Sequence, residues 1–512
     1  MESPGPDHGA QPLKRLSNRL IMTGLMLAMA LAAMDGTIVA TAIPTIVHDL
    51  GGFSLFPWVF SIYLLVQAVM VPIYGKLADL FGRKPMLMAG SVIFLVGSAL
   101  SGLSGSMVEL IVFRGLQGIG AAAIIPIATT IVGDLFGIQE RAKMQGYLSS
   151  VWGISAVIGP AIGGFLVEYA SWHWIFYINV PIGIAALLVI GRYLHETVTP
   201  RSHHIDTGGA ALLLAGTGAL VLGLLEAGVG WRWISWPSAG IFALSAVSLV
   251  VFYFYEAKTS EPILPVWVFR NRFIALANAG SLVVGVVSMG LSSYLPIFVQ
   301  SGLGSTPLVA GFALAAMSIG WPVASGFSGT LYLRIGFRGT ALIGSAVMIA
   351  ASAGFLLLTL HSAPWQVAID SLLMGAGLGL NSTSLLVGVQ SMVEWNQRGV
   401  VTGSNMFTRT LGSTVGVAVF GTLVNTFLLR WLDSAPAAVA RQLPAGLNVA
   451  ALTSGGPVGK LTAAVVLYVR QGLYGGIRQI FWGLLLVSVA AAVLEWQLPR
   501  QVRRPGEEGA SS

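Results

Sequence analysis

Apolar runs of about twenty residues recur along this chain from residue 20 to residue 498, separated by short polar turns. At a helical rise of ~1.5 Å per residue, each run is long enough to cross the hydrocarbon of a bilayer. A backbone in hydrocarbon must satisfy its own N–H and C=O groups, so the runs predict transmembrane helices. Composition agrees: only 9% of the 512 residues are charged, against about 25% in soluble proteins. The chain has no cysteine, which excludes disulfides, thiolate metal sites and cysteine nucleophiles. Its formal net charge of +7 does not mark a nucleic-acid partner. Most Lys and Arg residues fall in segments predicted to lie on one side of the membrane, as cytoplasmic loops do.

Fourteen crossings fit, the first at 20–43 and the last at 477–498. The expected fold class is all-α integral membrane, with two pseudo-symmetric six-helix bundles and two extra linking helices. The expected division is a tail at 1–19, a first bundle at 20–194, two linking helices with their loops at 195–272, a second bundle at 273–498, and a tail at 499–512. The second bundle includes an external loop at 430–476, within which 461–469 is too short to span and is expected on the outer surface. An even number of crossings puts both termini in the cytoplasm, and Lys14, Arg15 and Arg19 before the first crossing make it an uncleaved anchor. Glycine spacing exposes an internal repeat. Gly75 and Gly82 echo Gly329 and Gly336, Gly118 and Gly120 echo Gly375 and Gly377, and Gly159 and Gly163 echo Gly412 and Gly416, at offsets of 254, 257 and 253 residues. Two such halves around a midplane site are how many transporters are built.

Two charges stand inside predicted crossings and need an explanation. Asp35 lies in the first, where a carboxylate costs several kcal/mol and must face the protein interior or a wet cavity. Burial favours its neutral form over its ionised one. Arg114 lies in the fourth crossing, in Arg114-Gly115-Leu116-Gln117-Gly118. The first crossing runs outward and sets Asp35 roughly 24 Å above Arg19; the fourth runs inward and sets Arg114 roughly 10 Å below its outer end. Both therefore fall at similar depth in the outer half, where a guanidinium would favour the ionised acid. Asp35 and Arg114 are the expected proton-coupling pair, with a structural tie to neighbouring carbonyls as the other reading of Arg114. Gln67, Gln117 and Asn381 are expected to line the cavity, or else to join helices.

Between the second and third crossings lies a charged, glycine-bracketed turn in which Gly75, Asp79, Gly82, Arg83 and Lys84 form the expected gating loop. Asp79 is expected to dock near Thr402–Asn405 on a helix N-terminus of the other half, through the helix dipole. The repeated copy has Leu333 in place of Asp79, so any such contact is expected to be one-sided or weaker in the second half. The fifth crossing carries Gly153, Gly159, Pro160, Gly163 and Gly164; the small residues permit close helix packing, and Pro160 removes a backbone hydrogen bond. His195, His203, His204 and Asp206 have no spacing that makes a metal site, and no phosphate-cradling loop or catalytic triad is present.

The turn resembles the G-x-L-x-D-x-x-G-R-K loop signature of the major facilitator superfamily. The glycine and proline pattern of the fifth crossing resembles that superfamily's antiporter signature. Trp172-His173-Trp174-Ile175-Phe176-Tyr177-Ile178-Asn179-Val180-Pro181 resembles the W-R-W-x-F-x-I-N-x-P string of its 14-helix drug:proton antiporter-2 family, with His173 in place of arginine. The resemblance implies a monomeric or weakly associated carrier in the plasma membrane that exports small amphipathic drugs against entering protons. It implies no cofactor beyond the proton gradient and no enzymatic activity. Asp35 would carry the proton with Arg114 as its partner, and Gly159, Pro160 and Gly163 would form a pivot. A lipid or glycolipid exporter and a proton-coupled uptake carrier of the same fold are the alternatives.

Overall fold

A computed structural model describes residues 10–50, 56–196, 206–227, 231–259, 262–305, 307–442 and 462–499. Every named element is a helix. The first group comprises α1 (Ala10–Leu50), α2 (Phe56–Phe81), α3 (Arg83–Gly102), α4 (Met107–Leu135), α5 (Ile138–Tyr169), the short α6 (Trp174–Tyr177) and α7 (Asn179–Tyr193). Then come α8 (Thr207–Glu226), α9 (Trp236–Glu256) and the short α10 (Val266–Arg270). The remainder are α11 (Arg272–Ile297), α12 (Pro307–Leu357), α13 (Pro364–Ser391), α14 (Arg398–Asp433), the short α15 (Ala437–Ala440) and α16 (Ala463–Trp496). Among the described residues, 12 helical stretches are long and apolar enough to cross a membrane. This is an all-α, multi-pass membrane fold.

Two apolar cores account for most of the packing. One is built mainly from α1, α2, α3, α4, α5 and α7, around residues such as Leu25, Phe94, Ile124 and Ile190, and reaches Leu386 of α13 and Met406 and Phe407 of α14. The other joins α11, α12, α13, α14 and α16 through Val284, Phe298, Phe355, Leu378 and Phe481. Helices α8 and α9 pack on each other, Ser245 Oγ donating to the Gly216 carbonyl at 2.8 Å.

The glycine repeat has a backbone counterpart. Gly82 turns the chain between α2 and α3 with φ 96°, and Gly336 breaks α12 with φ 78°. A positive φ with extended ψ is open in practice to glycine alone, which is why both copies of the turn end on that residue. Gly118 packs on the backbone of Tyr63 in α2, and its repeat mate Gly375 packs on the backbone of Met317 in α12.

The helix boundaries correct two expectations. Helix is already present at Ala10 and continues to Leu50, well beyond 20–43 at both ends. At the other end, α14 runs to Asp433 and α16 begins at Ala463, so residues 463–469, expected on the outer surface, are the first turns of the last long helix. Gly472, Gly475, Gly476 and Arg470 dilute the apolar pattern there. The helix holds because Gly472 and Gly475 seat the rings of Trp431 and Phe427 from α14 and Gly476 lies against Val424 of the same helix.

Candidate functional site

Asp35 and Arg114 meet. Both side chains are fully buried, and Arg114 Nη1 forms an ion pair with Asp35 Oδ2. Gln117, one turn along α4, donates from Nε2 to Asp35 Oδ1 at 2.8 Å and accepts from Arg114 Nη1 at 2.7 Å. Arg114 and Gln117 share a helix face at i and i+3, so one carboxylate can be grasped by both. The guanidinium also donates from Nε to the Val59 carbonyl at 3.1 Å and lies 4.2 Å from the ring centre of Tyr63. Gly118 makes this approach possible. A side chain there would stand 2.7 Å from the Tyr63 carbonyl, so glycine lets α4 lie against α2 and brings Arg114 onto Val59 and Tyr63.

Thus Gln117, expected on a cavity wall, is the third member of the buried cluster. Tyr63 and Val59 were not legible in the sequence. A lone tyrosine in an apolar run reads as packing, and a carbonyl has no sequence signal. Among the described residues, Arg114 Nη2 and the Tyr63 hydroxyl have no hydrogen-bond partner. Gln67, one turn beyond Tyr63, is half-buried.

The charged turn builds a second cluster, at the end of the molecule where α2 stops and α14 starts. Asp79 accepts from the Gly399 amide at 2.9 Å and the Val400 amide at 2.7 Å, one on each carboxylate oxygen. The contact falls before the expected Thr402–Asn405. Only the first-turn amides of a helix lack internal partners, and those are the ones a carboxylate can reach. Gly75 sits against the same helix; a side chain on it would stand 2.7 Å from the Gly399 carbonyl.

Arg83, 2% exposed, pairs with Asp79 at 2.7 Å and with Asp134 at 3.1 Å. It donates to the Trp395 carbonyl at 2.6 Å and covers that ring at 3.9 Å. Asp134 also pairs with Arg398 at 2.8 Å. Lys84 serves a different purpose. Its Nζ donates to the Gly191 carbonyl at 2.8 Å, while Glu196 accepts from the amides of Arg83 and Lys84 and so caps α3. Asp134, Glu196, Trp395 and Arg398 join this network across separations of up to 312 residues, and periodicity cannot pair residues that far apart.

Helix α5 continues unbroken through Pro160. Gly153 packs against the backbone of Ser318 in α12, where a Cβ would lie 2.7 Å from its carbonyl. Gly159 and Gly163 are buried, whereas Gly164 is exposed with open space around it.

Asn381, expected to line the cavity or else to join helices, joins α13 to α12 and α16 here. It is fully buried, donating to Ser345 Oγ at 3.1 Å and to Glu495. Glu495 is itself fully buried and accepts from Ser345 Oγ at 2.7 Å. The sequence hid Glu495 because it lies one residue from the end of α16, where an acid reads as interfacial. The aromatic string around 172–181 is more than a membrane belt: Trp172 is buried and donates to Asp49 at 3.0 Å, and Asn179 donates to Ser98 Oγ at 3.0 Å. His203 and His204 lie outside the described residues, and among the described residues no group of three metal-ligating acids or histidines is found.

The sequence profile of the Major Facilitator Superfamily matches residues 25–215 and again 207–417. "Multidrug transporter protein MdtP" of Bacillus subtilis (strain 168) is 36% identical over 504 residues, covering 93% of this chain and 92% of that protein. "Multidrug resistance protein 3" of the same organism is 39% identical over 425 residues, covering 82% of each. The crystal structure of the human organic anion transporter MFSD10 (TETRAN) superposes with a TM-score of 0.61 at 14% identity, over 93% of this chain and 99% of that one, a likeness of fold. The chain belongs to the Major Facilitator Superfamily and is a multi-pass secondary transporter rather than an enzyme.

Proposed function

We propose that this protein is a proton-driven efflux antiporter of the 14-helix drug:proton antiporter-2 type, exporting small amphipathic compounds from the cytoplasm across the plasma membrane. The observation that carries the reading is the buried cluster of Asp35, Arg114 and Gln117. It is supported by the antiporter-like pattern of α5 and by the multidrug names of two relatives that align over most of the chain. The crossing count follows if α12 counts twice, divided at Gly336, and α5 is added to the other helices. The two apolar cores are then the two bundles, α8 and α9 the linking helices, and the protein a monomer with both termini in the cytoplasm. With the basic turn around Gly82 facing the cytoplasm, as the positive-inside rule favours, the contacts of Asp79 and Arg83 with the start of α14 and with Trp395 would close the carrier on that side.

The chemistry of coupling lies in differential binding. Ionised Asp35 satisfies Arg114 and Gln117 together; a proton on either carboxylate oxygen removes the charge that the guanidinium faces. Arg114 keeps its bonds to Gln117 and the Val59 carbonyl, but the hold of α4 on α1 weakens. If the two protonation states favour opposite-facing conformations and substrate favours the ionised one, proton entry and drug exit are linked without contact between them.

The reading is tested in proteoliposomes with a lumenal pH dye and a panel of amphipathic cations. Substrate-dependent proton flux is expected for the natural chain and is lost in Asp35→Asn. Uphill export retained by that variant under an imposed pH gradient would falsify the role of Asp35.

A further inference from the structure

Where α16 ends, a cavity of about 440 Å³ is lined by Arg272, Arg338, Trp496, Gln497, Leu498 and Pro499. It lies at the same end of the molecule as the Asp79 cluster, because α11 starts and α12 resumes after Gly336 there. We propose that this cavity binds the phosphate headgroup of an acidic phospholipid from the adjacent leaflet. The assignment does not depend on which substrate is transported, or in which direction.

Charge is the first argument. Neither Arg272 nor Arg338 has a carboxylate within ion-pair distance among the described residues. The acid beside the lining, Glu495, is turned inward and held by Ser345 and Asn381, so among the described residues the wall is positive without a compensating carboxylate. Arg338 lies 4.9 Å from the ring centre of Trp496, which fixes its planar group at the rim. Arg272 opens α11 and Arg338 lies two residues past the Gly336 break, so the positive ends of two helix dipoles add to the field. The opposing end of α16 is muted: the Leu494 and Glu495 carbonyls accept from the Gln497 and Leu498 amides at 3.1 and 3.0 Å. A basic pocket between helix ends at the membrane surface is the chemistry that acidic headgroups recognise.

The second argument separates a lipid from a free anion. Trp482, Leu486, Val489, Val493 and Trp496 are 48, 67, 42, 56 and 65% exposed. Their spacing of three and four residues makes them one stripe along α16. That stripe leads from the bilayer interior to the cavity mouth. An acyl chain lying along it would deliver its phosphate between Arg272 and Arg338, with Trp496 at the headgroup level that indole rings favour.

The test titrates the full chain in neutral detergent with short-chain phosphatidylglycerol, phosphatidylcholine and inorganic phosphate, reading bound lipid by native mass spectrometry. Phosphatidylglycerol is expected to bind about tenfold more tightly than phosphatidylcholine, and an Arg272→Gln/Arg338→Gln pair to lose about that factor. Arg272→Lys/Arg338→Lys is expected to keep part of the preference, since the charge remains while the planar fork is lost. Equal affinity of the natural chain for the two lipids overturns the proposal even if the double variant fails to fold. So does a double variant that folds and retains the preference. Displacement of phosphatidylglycerol by millimolar inorganic phosphate would make the cavity a soluble-anion site and overturn the lipid assignment.

Discussion

At the scale of single residues, the buried ion pair sets the terms. Removing one partner of such a pair leaves the other charge uncompensated, at a cost of about 3–5 kcal/mol. Asp35→Asn is therefore expected to lower thermal stability in detergent markedly, and Asp35→Asn/Arg114→Gln to recover part of the loss while transport stays uncoupled. A double variant no more stable than the single one would show that the pair does not hold α1 to α4. Glu495 makes a different prediction because its partners are neutral. Glu495→Gln keeps hydrogen bonds with Ser345 and Asn381 and should melt near the natural chain. Glu495→Leu strands both groups and should cost about 1–3 kcal/mol. The pairing of Asp35 with Arg114 was legible because helical rise alone puts them at one depth. Gln117 was visible only as a polar residue, since depth does not fix rotation about a helix axis. Glu495 escaped because its place near a helix end concealed how completely α12 and α13 cover it.

At the scale of helices, α2 and α14 are fastened by Asp79 on the first turn of α14 and by the close approach at Gly75. The natural chain has no cysteine, so one introduced thiol reports opening without background. Ala78 is fully buried beside this contact, and Ala78→Cys changes its volume little. Adding Asp79→Asn removes the charge from two charge-assisted bonds, and the labelling rate of that thiol by a maleimide should rise several-fold. Gly75→Val should do the same by steric wedge rather than lost charge. Unchanged labelling in both would mean that the closed end is held by Arg83, Asp134 and Arg398 alone. The sequence showed Asp79 reaching for a helix N-terminus, but missed the turn of contact by a few residues. Periodicity marks where a helix passes, whereas only its actual start identifies the amides left without partners.

At the scale of the whole molecule, direction of transport separates the readings that share this fold. In inside-out vesicles acidified within, an exporter exchanging protons for drug should accumulate an amphipathic dye cation, and a protonophore should release it. Accumulation that requires the reverse gradient would mark an uptake carrier. The architecture at this scale was the most legible part, since apolar run length and the glycine offsets are global signals that single-residue errors barely disturb. What they could not supply was the reach of α16 back to Ala463, where glycines seat aromatic rings from α14.

The two positive-φ glycines carry one more consequence. Gly82 and Gly336 bend the backbone alike, yet the chain before one bears Asp79 and before the other Leu333. At the first corner Asp79 accepts from two backbone amides of α14, whereas beside the second Tyr332 donates a single hydrogen bond to the Ile138 carbonyl of α5, so the two seams are fastened by unlike chemistry. On the proposed mechanism, the seam between α2 and α14 would set how long the molecule stays shut, and the mirror seam, where Gly146 and Gly153 nest against the backbone of α12, would be its axle.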